Sequence, residues 1–214
     1  MTAPDATVFE LRQYTLRPGR RDDLIALFDR EFVESQEATG MWIVGQFRDL
    51  DRPDRFVWVR GFRDMASRAD ALTAFYSGPV WKEHGGAANA TMIDSGNVLL
   101  LRPAGLGPGF PRAQQARPGL RDRPTPTRLT AAVHRVDPDS AGATAVQVRA
   151  ALGDRLVACL VTEPAENTFP ALPVRTGEHV LAWFAAGEID APERIAPELT
   201  QTLRLESTAR SQLR

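Results

Sequence analysis

The sequence has one cysteine, three histidines and a net charge of −1 over 214 residues, and each shortage removes a class of function. A lone thiol, Cys159, makes an intramolecular disulfide impossible and leaves no thiolate cluster for a metal. It falls in the apolar run Leu156–Val161, where a small buried hydrophobe on a strand is expected ahead of a reactive thiol. Acids and bases are interleaved, so no basic face is available to collect nucleic acid or an anionic membrane. No apolar stretch approaches the roughly 20 residues that span a bilayer. Met1–Thr7 has neither the basic cap nor the apolar run of a signal peptide, which makes the cytoplasm the expected compartment. His134 and His179 fall on expected strands with no carboxylate or second histidine at ligand spacing, so no metal site is expected. Phosphate loops, dinucleotide fingerprints and nucleophile elbows are missing as well.

What is present is an ordinary globular composition, 43% hydrophobic and 25% charged. Val8–Leu16 alternates, with Phe9, Leu11 and Gln13 on one face and Glu10, Arg12 and Tyr14 on the other, which predicts a strand. Pro18-Gly19 ends it. Leu24, Leu27, Phe28 and Phe32 then recur at helical spacing up to Gly40. Met41–Arg48 and Arg55–Arg63 read as a hairpin across Asp51-Arg52-Pro53-Asp54. Two short helices follow, one striped by Met65, Ala69, Leu72 and Phe75, the next by Trp81, His84, Ala88 and Met92 after the break at Gly78-Pro79. A strand over Asn97–Arg102 completes βαββαβ, the ferredoxin-like order.

Pro103–Pro126 is rich in Pro, Gly and Arg and reads as a connector. The grammar then restarts: strand Arg128–Val136, helix Ser140–Leu152, strands Arg155–Thr162 and His179–Ala186, helix Ala191–Leu199 and strand Thr200–Ser207. The expected organisation is α+β, with a first ferredoxin-like domain at 1–102, a connector at 103–126 and a second, degenerate one at 127–214.

Four blocks of the first half carry a family resemblance. Glu10-Leu11-Arg12-Gln13-Tyr14-Thr15-Leu16-Arg17-Pro18-Gly19 and Phe56-Val57-Trp58-Val59-Arg60-Gly61-Phe62 resemble the first and third strands of the NIPSNAP family. Phe75-Tyr76-Ser77-Gly78-Pro79-Val80-Trp81-Lys82-Glu83-His84 is similar to its bacterial helix pair, and Asp94-Ser95-Gly96-Asn97-Val98-Leu99-Leu100-Leu101-Arg102-Pro103 to its closing strand. The resemblance implies a dimeric α/β barrel, here a pseudo-dimer in which two ferredoxin-like sheets pack face to face. That superfold also holds cofactor-independent and haem-degrading monooxygenases, so it sets a prior on fold without naming a chemistry.

Two groups of residues are candidates for function. Glu10, Arg12 and Tyr14 share a face of the first strand, and Phe56, Trp58, Arg60 and Phe62 share one on the third. As central neighbours, the strands allow Arg12 and Arg60 to share Glu10. This set fits a site holding an anionic or carbonyl group above an aromatic floor, and equally a structural ion-pair network. His84 lies on the helical face of Trp81, as a general base, an axial haem ligand, or a hydrogen-bonded histidine at a helix–sheet seam. Asn89 either donates to a developing oxyanion or caps its helix end, the cap being preferred.

The enzymatic reading makes His84, Tyr14 and Arg12 catalytic, with Glu10, Trp58, Arg60, Trp81 and Asn89 binding an apolar oxygenated metabolite in a cofactor-independent monooxygenase or proton-transfer reaction. The alternative is a non-enzymatic ligand-binding or assembly module. A homodimer is expected, because Phe56, Trp58 and Phe62 on an open sheet face would form a large apolar patch. The main cavity is expected in the first half, with His84 and Trp81 on one wall.

Overall fold

The alternating run Val8–Leu16 forms β1 and lies between two antiparallel neighbours, β3 (Arg55–Phe62) and β4 (Met92–Pro103). β3 also pairs with β2 (Trp42–Asp49), giving the order β4-β1-β3-β2. The second half repeats that order. β5 (Arg128–Arg135) lies between β8 (Leu199–Ser207) and β7 (Val180–Ala186), and β6 (Leu156–Thr162) lies beyond β7. Both sheet edges then find a partner. Phe47, Arg48 and Asp49 pair with Ser207, Glu206 and Leu205, and Leu101, Arg102 and Pro103 pair with Thr162, Val161 and Leu160. Eight strands thus close into one barrel, and closure removes the unpaired edges that invite aggregation. The computed structural model describes residues 6–105, 109–111 and 116–214. The expected connector Pro103–Pro126 and the N-terminal stretch Met1–Thr7 therefore fall partly outside the described residues.

The period-two pattern sorts side chains to the two sides of the barrel wall. Phe9, Leu11, Val57, Val59, Leu101, Ala131, Val133 and Leu203 belong to one buried cluster drawn from both sheets, so the interior is filled by side chains. The opposite positions, Leu16, Phe56, Trp58 and Phe62, form a second cluster under the helices of the first half. Those helices are α1 (Arg21–Leu27), a π-helical turn at Phe28–Phe32, α2 (Val33–Glu37), α3 (Met65–Ser77) and α4 (Pro79–Thr91). Asp64 caps α3 by accepting the Ser67 N–H at 2.7 Å. Gly40, at φ +93°, turns the chain out of the α2 end into β2 in a conformation that favours glycine. A third cluster packs α5 (Ala141–Leu152) on the second sheet.

Three expectations are corrected. No α-helix forms over Ala191–Leu199, where only Pro192–Arg194 makes a 3₁₀ turn. Pro197 lacks an N–H, and Ala191 (φ 51°) and Glu198 (φ 49°) are left-handed, so a regular helix cannot run through. β4 starts at Met92 and not at Asn97, because pairing with β1 continues through two register shifts to Leu16↔Met92. Phe56, Trp58 and Phe62 are buried within the chain, so they do not form the open apolar patch expected of them.

Candidate functional site

β1 and β3 run side by side with Glu10 opposite Arg60 and Arg12 opposite Trp58. This register brings Arg12 and Arg60 to one carboxylate. Glu10 Oε2 accepts from Arg12 Nη1 at 2.6 Å and from Arg60 Nε at 2.8 Å, while Oε1 accepts from Arg68 Nε at 2.7 Å. Glu10, Arg12, Arg60 and Arg68 are all fully buried. Burial alone would push the Glu10 carboxyl up, but Arg60, Arg12 and Arg68 outweigh it and hold the group far below the usual carboxylate range. Aromatic faces flank the guanidiniums: the guanidinium carbons of Arg12 and Arg60 lie 5.6 and 5.1 Å from the Trp58 ring centre.

Beside this cluster, between the sheet and the helices, lies a cavity of about 30 Å³ walled by Tyr14, Phe28, Phe32, Trp58, Tyr76 and Trp81, among others. The π turn helps to build the wall. Val33 N–H bonds back to the Phe28 carbonyl, and Phe28 packs edge-on to Trp58 at 4.8 Å. On α4, Gly85 makes room for the indole of Trp81, since a Cβ there would sit 2.7 Å from the ring. Tyr76 closes the floor against Trp81 at 4.7 Å, and burial raises its phenol pKa. The Tyr14 hydroxyl accepts from Arg12 Nε at 2.9 Å and joins the cavity wall to the charged cluster. Gln36, another wall residue, accepts from Arg60 Nη1 at 3.1 Å.

The other sequence candidates lie elsewhere. Trp81 is on the cavity wall, but His84 is not among its lining residues; it is 26% exposed, with Nε2 3.5 Å from Glu31 Oε2 and 3.8 Å from Glu83 Oε1. Asn89 is exposed on α4, and its backbone carbonyl accepts the Met92 N–H. A partly exposed pair contributes about 0–1 kcal/mol. His84→Ala is therefore expected to lower the melting temperature by no more than about 4 °C and to leave ligand binding at the cavity unchanged, which calorimetry and a binding titration on one variant would check.

The expectation of a main cavity in the first half is also corrected. A larger one, about 210 Å³, lies in the second half and is lined by Ala145, Arg149, Leu156 and Cys159. Burial pushes the Cys159 thiol up to about 12, so it is no nucleophile at neutral pH. The buried cluster of charged groups around Glu10 lies beside the smaller, aromatic cavity, and for this reason that cavity is the candidate site.

Several residues of the site escaped sequence reasoning. Arg68 follows the α3 stripe at i, i+4 and i+7 with Leu72 and Phe75, and its charge disguised it as surface. The segment between β6 and β7 crosses to the first half, where Asn167 and Thr168 accept from Arg68 Nη1 and Phe169 stacks on Tyr76 at 5.7 Å.

Residues 9–108 match the NIPSNAP family model, while no curated protein is significantly similar to the chain. A NIPSNAP family protein with unknown function from Agrobacterium tumefaciens is 20% identical over 49% of this chain and 94% of its own, with a TM-score of 0.45. Two proteins provisionally named monooxygenases align over nearly the whole chain. The one from Lactobacillus acidophilus is 11% identical over 95% of this chain and 93% of its own, at a TM-score of 0.54. That from Fusobacterium nucleatum is 9% identical over 95% and 92%, at 0.52. These two share the mixed α/β fold across both halves. The strand order of the first half and the match to the NIPSNAP family model fall on the same stretch, residues 9–108.

Proposed function

We propose that the protein binds a short, oxygen-bearing apolar molecule in the first-half cavity. The lining carries this reading: aromatic rings form most of the wall, and Tyr14, Gln36, Trp58, Tyr76 and Trp81 bring the polar groups among them. At about 30 Å³ the space holds roughly two waters. It is far below the ~300 Å³ of pockets for drug-sized ligands, so the ligand has only a few heavy atoms. The barrel is read as two fused ferredoxin-like units, 1–102 and 127–214, of which the first keeps both helices and the site. On this reading one chain is a complete binding unit, and a homodimer is not needed for it.

A catalytic form of the same reading is proton transfer at the bound molecule, giving an enolate, with no cofactor invoked. One observation supports it. The Tyr14 hydroxyl on the cavity wall is held by the Arg12 guanidinium, so a fixed positive charge stands next to where an enolate oxygen would develop. Proton transfer then falls to Tyr14 and not to His84.

Ala88, buried and on the wall, provides the test. Ala88→Val adds two methyl groups toward the space. Wild-type tryptophan fluorescence is expected to respond saturably to butanone or butanol, and the variant is expected to bind at least tenfold more weakly. An equal response in both proteins would contradict a binding role for this cavity.

A further inference from the structure

Buried donors are almost always hydrogen-bonded, and buried charges almost always have a counter-charge. The cluster around Glu10 meets neither condition. Three fully buried guanidiniums face one carboxylate, and among the described residues no second carboxylate pairs with any of them. Arg12 Nη2 and Arg68 Nη2 have no hydrogen-bond partner among the described residues. Arg60 Nη2 is 2.7 Å from Glu10 Oε2, close enough for ion pairing but without the alignment of a hydrogen bond. Trp58 Nε1 is a further buried donor with no partner among the described residues.

This surplus borders the candidate cavity. Trp58 is a wall residue, and both Arg12 and Arg60 lie over its ring. Two other wall residues, Tyr14 and Gln36, each accept from one of those guanidiniums. We propose that the ligand of this cavity is an anion, a short monocarboxylate. Its oxygens take donors left over from Trp58 and Arg12, and its alkyl end lies against Phe28, Phe32 and Trp81. The inference rests on the pocket reading above and adds the charge class of the ligand. A planar carboxylate presents two oxygens on one side, matched to guanidinium and indole donors, and an apolar remainder on the other. Phosphate or sulfate has oxygens on every side and would turn some of them toward phenylalanine rings.

The test is a pair of thermal-shift and calorimetric titrations at pH 7.5, with ionic strength held by sodium sulfate. One series uses sodium acetate and sodium propionate; the other uses acetamide and propionamide, which have nearly the same shape without charge. A saturable rise in melting temperature with the carboxylates is expected, with binding at least tenfold tighter than for the amides. Amides that bind as well as carboxylates would overturn the anion assignment and leave the pocket reading standing. Carboxylates that bind equally well to Ala88→Val would instead remove the pocket reading and keep an anion site elsewhere in the cluster. No response to any carboxylate would overturn the inference.

Two variants locate the contact. Arg12→Met is expected to fold, because it removes one charge of the surplus, and to lose the carboxylate response. Trp58→Phe keeps an aromatic ring and removes only the indole donor; it is expected to weaken carboxylate binding about tenfold or more. Unchanged carboxylate binding in Trp58→Phe would refute the assigned contact, even if Arg12→Met failed to fold.

Discussion

Replacing Glu10 by Gln is expected to destabilise the protein by about 3–5 kcal/mol, because it strips three buried guanidiniums of their shared anion. The amide is nearly isosteric, so the surrounding packing is preserved and the loss is electrostatic. Gln also brings an NH₂ donor into a cluster that already has donors without partners. For a domain of this size the melting temperature is expected to fall by about 10 °C. Denaturant unfolding of the two proteins side by side is the check. A change below about 1 kcal/mol would mean that the arginines are compensated by something other than Glu10.

The second large effect is expected in the other half. Trp183, on β7, is fully buried, and its Nε1 donates to His134 Nε2 at 3.0 Å. His134 Nδ1 is 2.9 Å from the Pro197 carbonyl. A carbonyl only accepts, so Nδ1 carries the proton and the imidazole is neutral. Trp183→Ala leaves a large void and an acceptor without its donor, and about 3–5 kcal/mol should be lost.

The same contact sets a pH dependence. Burial holds the folded-state pKa of His134 below its ordinary 6.5. The stability it contributes is therefore complete above about pH 6.5 and is lost as pH falls from there toward the depressed folded value. Asp29 acts in the opposite sense: burial raises it to about 6, so its charge opposes folding above that pH and the penalty is relieved on acidification. Because Asp29 is unaffected by a change at Trp183, it cancels in a comparison of the two proteins. Once the indole is gone His134 is more open to water, so the gap between wild type and Trp183→Ala is expected to narrow from pH 7.5 to pH 5. A gap that widens on acidification would contradict the neutral assignment.

The alternation of β1 was enough to place Glu10, Arg12 and Tyr14 on one face, and the neighbouring third strand brought Arg60 to the same carboxylate. These contacts follow from period two and from local pairing, which a sequence displays directly. Arg68 was hidden because an apolar stripe is recognised by its apolar members, and a buried arginine breaks the pattern that its helix otherwise keeps. The joins between sheets rest on three residue pairs each, between segments far apart in sequence, and short edge pairings leave no periodic mark. The crossing of Asn167–Phe169 onto α3 is equally silent, since an irregular segment has no repeat to read. His84 shares a helical face with Trp81 as its spacing implied, yet the imidazole stays part-exposed beside Glu31 while the indole packs on Phe32 and lines the cavity. Helical phase gives a direction only to within a residue's breadth, and the distinction between lining a cavity and lying beside it is finer than that.

The central claim is that the aromatic cavity beside the Glu10 cluster is the ligand site, and a crystal structure of the protein soaked with sodium propionate tests it most directly. The expected result is difference density between Tyr14, Trp58 and Trp81, with a carboxylate oxygen within hydrogen-bonding distance of Trp58 Nε1. Density confined to the second-half cleft near Arg149 and Cys159, or an unoccupied first-half cavity at saturating propionate, would contradict it.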